Sequence, residues 1–430
     1  MTRFSSGFPR AGYLPFRWLS KRKVFIPFLA LAGPGLIAAN AGNDAGGIAT
    51  YASAGAQFGY RTLFFMLLVT VALVIVQEMC VRIGAYTGEG LGSLIREHFS
   101  VRQSSFALLV FTIANVGLVV SEFAGVAAAL QLFHVSRFIS IPIAALIVWS
   151  LVVFGSYKRA EQLFLVLTLA FITYPIAAIL AHPNIGQASS QLVLPHFLYT
   201  RGFLLLGVAL IGTTITPYMQ FYLAGAISDK GIGPKQYKRE RKGTIIGSIL
   251  ANIVSIFIIV ATAAAITHRG PLSSASDAAK ALKPVAGTFA TQLFAIGLLG
   301  ASALAAAVVP LSTAYAVSGA VGSERSVGKN FKEAPIFIGL FTFQIVVGAL
   351  VALIPSNLIN TLINTQVLNG VITPIILVYI LILANKKSLL GDAANGFIFK
   401  TVAAICITVI GIMSILVTAL TVGHWFGLSS

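Results

Sequence analysis

The chain is short of charge, and shortest of acids. Of 430 residues only 10% are charged, and 12 are Asp or Glu. Two cysteines, Cys80 and Cys406, stand too far apart to suggest a disulfide framework or a thiolate metal site. The six histidines (His98, His134, His182, His196, His268, His424) avoid the centres of the apolar segments, so an imidazole cluster for a soft metal is not expected. The sequence also lacks a nucleophile–base pair and a cofactor motif, which argues against an enzyme.

Apolar sequence is what the chain has in excess. It is 57% hydrophobic, with a mean hydropathy of +0.92, outside the range of a soluble domain. Eleven apolar spans can be drawn, each near the ~20 residues needed to cross a bilayer. They lie at about 25–57 (broken), 62–80, 105–133, 138–155, 162–181, 202–228 (broken), 243–267, 290–321, 335–355, 361–384 and 398–421. The formal charge of +17 would suit a nucleic-acid partner, but its placement argues otherwise. With the N-terminus inside, all of the 29 Lys and Arg residues fall on the cytoplasmic side except Arg61, Arg137, Arg201, Arg269, Lys280 and Lys283. That is the positive-inside rule, so the basic charge sets topology. Residues 1–24 read as a basic cytoplasmic tail and not a signal peptide. The run KQYKRERK (235–242) reads as a solvated cytoplasmic loop beside anionic head groups. An odd number of spans places the C-terminus outside, in the plasma (inner) membrane of a prokaryote.

Asp44 is the most telling residue. It sits inside the first apolar span, in Asn43-Asp44-Ala45-Gly46-Gly47. A carboxylate at membrane depth is costly and normally faces a pathway or an ion. The two glycines weaken the helix and should let backbone carbonyls turn toward the same point. Non-helical backbone at this depth is tolerated where it lines a protein cavity. The sixth span is also interrupted, because Pro217 removes a helical donor just after Gly212, Thr213, Thr214 and Thr216. Taken alone, Pro217 also fits a kink that serves packing. Two breaks five helices apart match an inverted repeat with a cation site between them, at the midplane of a transporter. The expected architecture is all-α and integral to the membrane. The transporter core is 25–385, with repeat one at about 25–181 and repeat two at about 202–385; 386–430 hold an eleventh helix and tail.

The segments GPGLIAANAGNDAGGIATYASAGAQFGY (33–60), VQEMCVRIGAYTG (76–88), SEFAGVAAALQLF (121–133), IGTTITP (211–217) and TQVLNGVITP (365–374) resemble, in order, those of the NRAMP divalent-metal transporters. The resemblance implies a sodium-symporter-like 5+5 inverted repeat with helices 1 and 6 broken. It also implies a metal site built from Ala41, Asp44, Gly47, Thr213, Thr216 and Gln366. Asn43, Glu122, Tyr218 and Asn369 are pathway or gating candidates, although Asn369 equally suits a plain helix contact. The departures from the family pattern carry chemical meaning. Gly47 stands where the family has asparagine, Thr216 where it has methionine, and Thr213 where it has alanine. Exchanging a soft thioether for a hydroxyl removes a filter against hard cations. Met219, three residues on, either partly replaces that sulfur or packs. Mg²⁺ keeps several waters, so a roomier site would hold it through a water shell with protein oxygens ~4–5 Å from the ion. This looks like the NRAMP-related magnesium transporter branch.

The family's proton route is also altered. Val119 occupies its aspartate position three residues before Glu122, Tyr218 replaces a histidine, and paired arginines near the ninth span are missing. Transport without proton coupling is therefore expected. A divalent ion gains ~4.6 kcal/mol per 100 mV of membrane potential, which supports ~10³-fold accumulation. Glu78 and Glu122 are either pathway acids or acids hydrogen-bonded to a neighbouring helix. The expected function is import of Mg²⁺ and Mn²⁺ by a monomer in a lipid bilayer, with no resident cofactor. The rivals are a proton-coupled Mn²⁺/Fe²⁺ symporter, a sodium-coupled organic solute carrier and a non-transporting metal sensor.

Overall fold

The computed structural model describes residues 43–154, 173–266, 270–323 and 331–425, and these are helical with no strand among them. The main helices are α1 Ala45–Phe58, α2 Leu63–Thr87, α3 Leu91–His98, α4 Val101–Gln131, α5 Arg137–Val153 and α6 Thr173–Leu180. They continue with α7 Ile185–Val193, α8 Arg201–Thr214, α9 Pro217–Asp229, α10 Pro234–Ala265 and α11 Ala290–Ala320. The chain ends with α12 Pro335–Leu353, α13 Leu358–Asn385 and α14 Phe397–Trp425. Their starts are written in the sequence as side-chain caps. Ser100 and Gln103 close a capping box on α4, and Asn184, Thr200 and Asn357 cap α7, α8 and α13.

The fold is the expected all-α membrane architecture with interrupted helices. Eight stretches of the described residues are long and apolar enough to cross a membrane, with α1 and α2 counted as one and α8 and α9 as another. A count of eleven spans is not established by these residues. The first part of span one (25–42) and most of span five (155–172) lie outside them. α4 packs centrally against α11, α12 and α13, while α10 lies along α2 and α1. α5 and α14 turn Ile143, Leu146, Ile405, Ile412 and Ile415 outward, as helices facing hydrocarbon would.

Two local expectations are corrected. The break in span one does not fall at the glycines. It falls before Ala45, because Asp44 adopts extended backbone (φ −70°, ψ 179°) as the N-cap, while Gly46 and Gly47 join the first turn of α1. The basic run 235–242 is not a loop but the first two turns of α10. Pro234 starts that helix with its fixed φ, Gln236 returns its Oε1 to the Gly233 N–H at 3.2 Å, and Lys, Arg and Glu are good helix formers. The break in span six is where Pro217 predicted it. Ile215 (φ −117°, ψ 49°) ends α8, and Thr216 (φ −63°, ψ 138°) precedes Pro217 at the first position of α9.

Close helix crossings hold the breaks in place. A Cβ on Gly212 of α8 would lie 2.0 Å from the Gln366 carbonyl oxygen and 2.4 Å from the Gly370 nitrogen of α13, so backbone meets backbone there. Gly212→Val should force α8 from α13 and cost about 1–3 kcal/mol, read as a lower midpoint of thermal unfolding in detergent. Gly225→Ala in α9, where a Cβ would meet nothing within 4 Å, should leave the midpoint unchanged or raise it by up to ~1 kcal/mol of helix propensity. Equal midpoints for the two variants would refute this account of the crossing.

Candidate metal site at the helix breaks

The start of α1 carries two carboxylates. Asp44 Oδ1 accepts the Gly47 N–H at 2.6 Å, capping its own helix. Glu122 of α4 accepts the Ala45 N–H through Oε2 at 3.4 Å. Both acids are buried, and the partial positive charge of a helix N-terminus stabilises them there. Each uses one oxygen in this way; Asp44 Oδ2 and Glu122 Oε1 are buried without a hydrogen-bond partner.

Gln366 of α13 reaches the same place. A Cβ on Gly46 would stand 2.0 Å from Gln366 Nε2 and 2.8 Å from Ser121 Oγ, so only a glycine lets these side chains lie against the first turn of α1. Neither polar atom of Gln366 has a partner, nor does Ser121 Oγ. The α8–α9 break is tied to both neighbours. Tyr51 and Thr214 share a hydrogen bond of 3.2 Å between their hydroxyls, which links the break to α1. Thr373 of α13 donates to the Ile215 carbonyl at 3.4 Å. Thr213 and Thr216 are both buried in this junction, and Thr216 Oγ1 has no partner.

The structure thus brings Asp44, Gln366 and the Thr213–Thr216 junction together, with Glu122 on the Ala45 N–H of the same helix start. These donors are carboxylate, amide and hydroxyl oxygens, which suit hard divalent cations. A buried polar atom without a partner costs free energy, and several of them converging in a low-dielectric interior is what an oxygen-coordinated ion or its waters would satisfy. The carbonyl end of α8 adds partial negative charge at the break. No cluster of three or more His, Cys, Asp or Glu side chains able to hold a metal occurs among the described residues.

Other sequence candidates take different places. Ala41 lies outside the described residues. Gly47 has no side chain to offer an ion, and its N–H is committed to Asp44 Oδ1. Asn43 Oδ1 accepts from Ser255 Oγ of α10 at 3.1 Å. Asn369 is fully buried with neither amide atom partnered, one turn beyond Gln366. Tyr218 is buried in α9, and Met219 sits in the continuous apolar core, in keeping with packing. Glu78 is a linking acid. Its carboxylate accepts from Arg82 at 2.9 Å and from the Tyr237 hydroxyl, with Arg241 at 3.5 Å. Ser121 and Tyr51 were missed from sequence. Ser121 had a signal, standing directly before Glu122; Tyr51 had none, because its partner is 163 residues away.

Comparison with known proteins agrees with this architecture. The sequence profile described as "Natural resistance-associated macrophage protein-like" matches residues 35–420. The divalent metal cation transporter MntH of Ralstonia nicotianae is 28% identical over 293 residues, 64% of this chain and 65% of that protein. MntH of a Nostoc species is 29% identical over 286 residues, 63% and 64% of the two. The matched region therefore spans just under two thirds of these relatives. Among solved structures, a variant of the Eremococcus coleocola manganese transporter superposes with a TM-score of 0.74 at 18% identity, covering 95% of this chain and 90% of that one. A nucleobase-cation-symport-1 transporter in a closed conformation gives 0.55 at 14% identity, over 93% and 94%. The chain belongs to the natural resistance-associated macrophage protein-like family.

Proposed function

We propose that the protein imports divalent metal ions across a prokaryotic plasma membrane by alternating access about Asp44, carrying Mg²⁺ and Mn²⁺ largely hydrated and without protons. One observation carries this reading: Asp44 Oδ2, Thr216 Oγ1 and Gln366 Oε1 are buried oxygens without partners, gathered where two helices are broken. Their hardness favours Mg²⁺ and Mn²⁺ over soft metals, and the neutral amide and hydroxyl groups beside Asp44 suit an ion that keeps water. That curated relatives are named divalent metal cation transporters, and a structural neighbour a manganese transporter, supports the cargo class. Packing supports the absence of proton coupling. Val119 lies against α12 so closely that a Cβ on Gly348 would be 2.5 Å from Val119 Cγ1, which fills with hydrocarbon the place where the family pattern has an acid.

The ordinary proton-coupled Mn²⁺/Fe²⁺ symporter is the second reading, and Glu122 favours it. A buried carboxylate with a free Oε1 next to the helix end that Asp44 caps is a group able to carry a proton beside the ion. In proteoliposomes loaded with a pH dye, uptake of Mg²⁺ or Mn²⁺ should leave the internal pH unchanged. Acidification in step with uptake would replace the first reading by the second. Asp44→Ala should lower uptake to that of empty liposomes while the protein still elutes as a single folded species. Retained uptake would remove Asp44 from the site.

Two further variants probe the ligand set. Thr216→Met should move the preference toward Cd²⁺ in competition assays, and an unchanged ion ranking would show that position 216 does not face the ion. Gln366→Ala should weaken apparent affinity by about 10–100-fold, the range for losing a group that supports a bound ion. An unaltered concentration dependence would refute that role.

A further inference from the structure

α10 carries a polar stripe that the ion site does not use. Tyr237, Arg241, Thr244, Ser248, Asn252 and Ser255 recur at three- and four-residue steps and so share one helix face. From Arg241 to Ser255 that face is about 20 Å long at 1.5 Å per residue. Thr244, Ser248, Asn252 and Ser255 are buried, whereas Ile246, Ile249 and Ile253, on other faces of the same helix, are exposed as if to lipid.

The stripe joins two features already described. At one end Ser255 donates to Asn43, the residue before Asp44. At the middle Ser248 donates to Gln77 of α2 at 2.6 Å. At the other end Arg241 and Tyr237 meet Glu78. Along it Thr244 Oγ1, Asn252 Nδ2 and Gln77 Nε2 are buried without partners. Helix packing alone asks for hydrogen bonds that close, and unsatisfied polar atoms in a membrane interior call for water.

We propose that this face of α10, with Gln77 of α2, is the aqueous path by which the cation leaves the Asp44 site toward the basic end of the bundle, and that Glu78 with Arg82, Arg241 and Tyr237 forms its plug. The proposal rests on the transport reading above. The plug has a fixed half and a moving half. Arg82 is anchored by Glu78, by the Ala393 carbonyl at 3.0 Å, by Asn395 at 2.5 Å and by the Phe399 ring 5.0 Å away. Arg241 is half exposed and stands at 3.5 Å. A divalent cation arriving along the stripe competes with Arg241 for Glu78. Displacing that side chain opens the mouth while Arg82 keeps α2 attached to the segment leading into α14.

Thiol accessibility tests this. In a Cys80→Ala, Cys406→Ala background, Ser248→Cys and Asn252→Cys are exposed to a membrane-impermeant cationic methanethiosulfonate from the basic face. Only a hydrated thiol ionises and reacts, so both should be modified roughly tenfold or more faster than Ile249→Cys on the outward face. Adding Arg241→Gln should raise the rates further. Thr244→Cys reads the same face should Asn252→Cys fail to fold. Stripe thiols as slow as Ile249→Cys, with and without Arg241→Gln, in protein that still takes up Mn²⁺ would overturn the path and leave the transport reading intact. Fast stripe thiols in protein that moves no divalent ion would overturn the transport reading and leave the aqueous path standing.

Discussion

Asp44 serves two masters with one carboxylate. Its Oδ1 closes the first turn of α1 through the Gly47 N–H, and its Oδ2 is left buried and unpaired. In hydrocarbon a bare charge of this kind is expensive, and the helix end is what makes it tolerable, because amide N–H groups and the helix dipole take the place of water. Any group that binds Oδ2 also bears on the residue that starts the helix. Glu122 repeats the device from α4, donating nothing and accepting the Ala45 N–H. Two acids on one helix terminus concentrate negative charge where the second broken helix ends, and the carbonyl end of α8 turns toward the same region.

Small residues make that convergence geometrically attainable. Gly46 lets Gln366 lie on α1, Gly212 lets α8 touch the backbone of α13, and a Cβ on Gly125 would be 2.4 Å from Ala45 and from Ser302. Polar groups alone would not bring these helices together, since side chains of ordinary size would hold them too far apart for short amide and hydroxyl groups to meet. Hydrocarbon packs as closely at Val119, where a Cβ on Gly348 would lie 2.5 Å from Val119 Cγ1.

Much of this was legible before any coordinates. Pro217 had to break its helix because it lacks an N–H, and the chain breaks there. The apolar spans agree closely with the helices where both can be compared, and the family resemblance through GPGLIAANAGNDAGG and IGTTITP pointed to the right architecture. Other features were not legible. Glycines 46 and 47 look like helix breakers yet sit inside a helix, because the cap from Asp44 and close packing outweigh a propensity cost of about 1 kcal/mol each. The charged run 235–242 looks like a loop, but lysine and arginine stabilise helices once a proline has started one. Glu78 was ambiguous until its partners, 159 and 163 residues away, came into contact with it.

The sequence alone determined the membrane-spanning class, the position of the second break and the acid at the first. These follow from properties carried by short segments: hydropathy over a span, the missing N–H of proline, and the cost of a carboxylate in lipid. Tertiary structure alone decided which oxygens remain without partners, that Gln366 rests on Gly46, that Val119 is sealed against Gly348, and that the polar face of α10 runs from Asn43 to Glu78. Each of these is a relation between helices far apart in the chain, and no local pattern encodes the distance across a crossing.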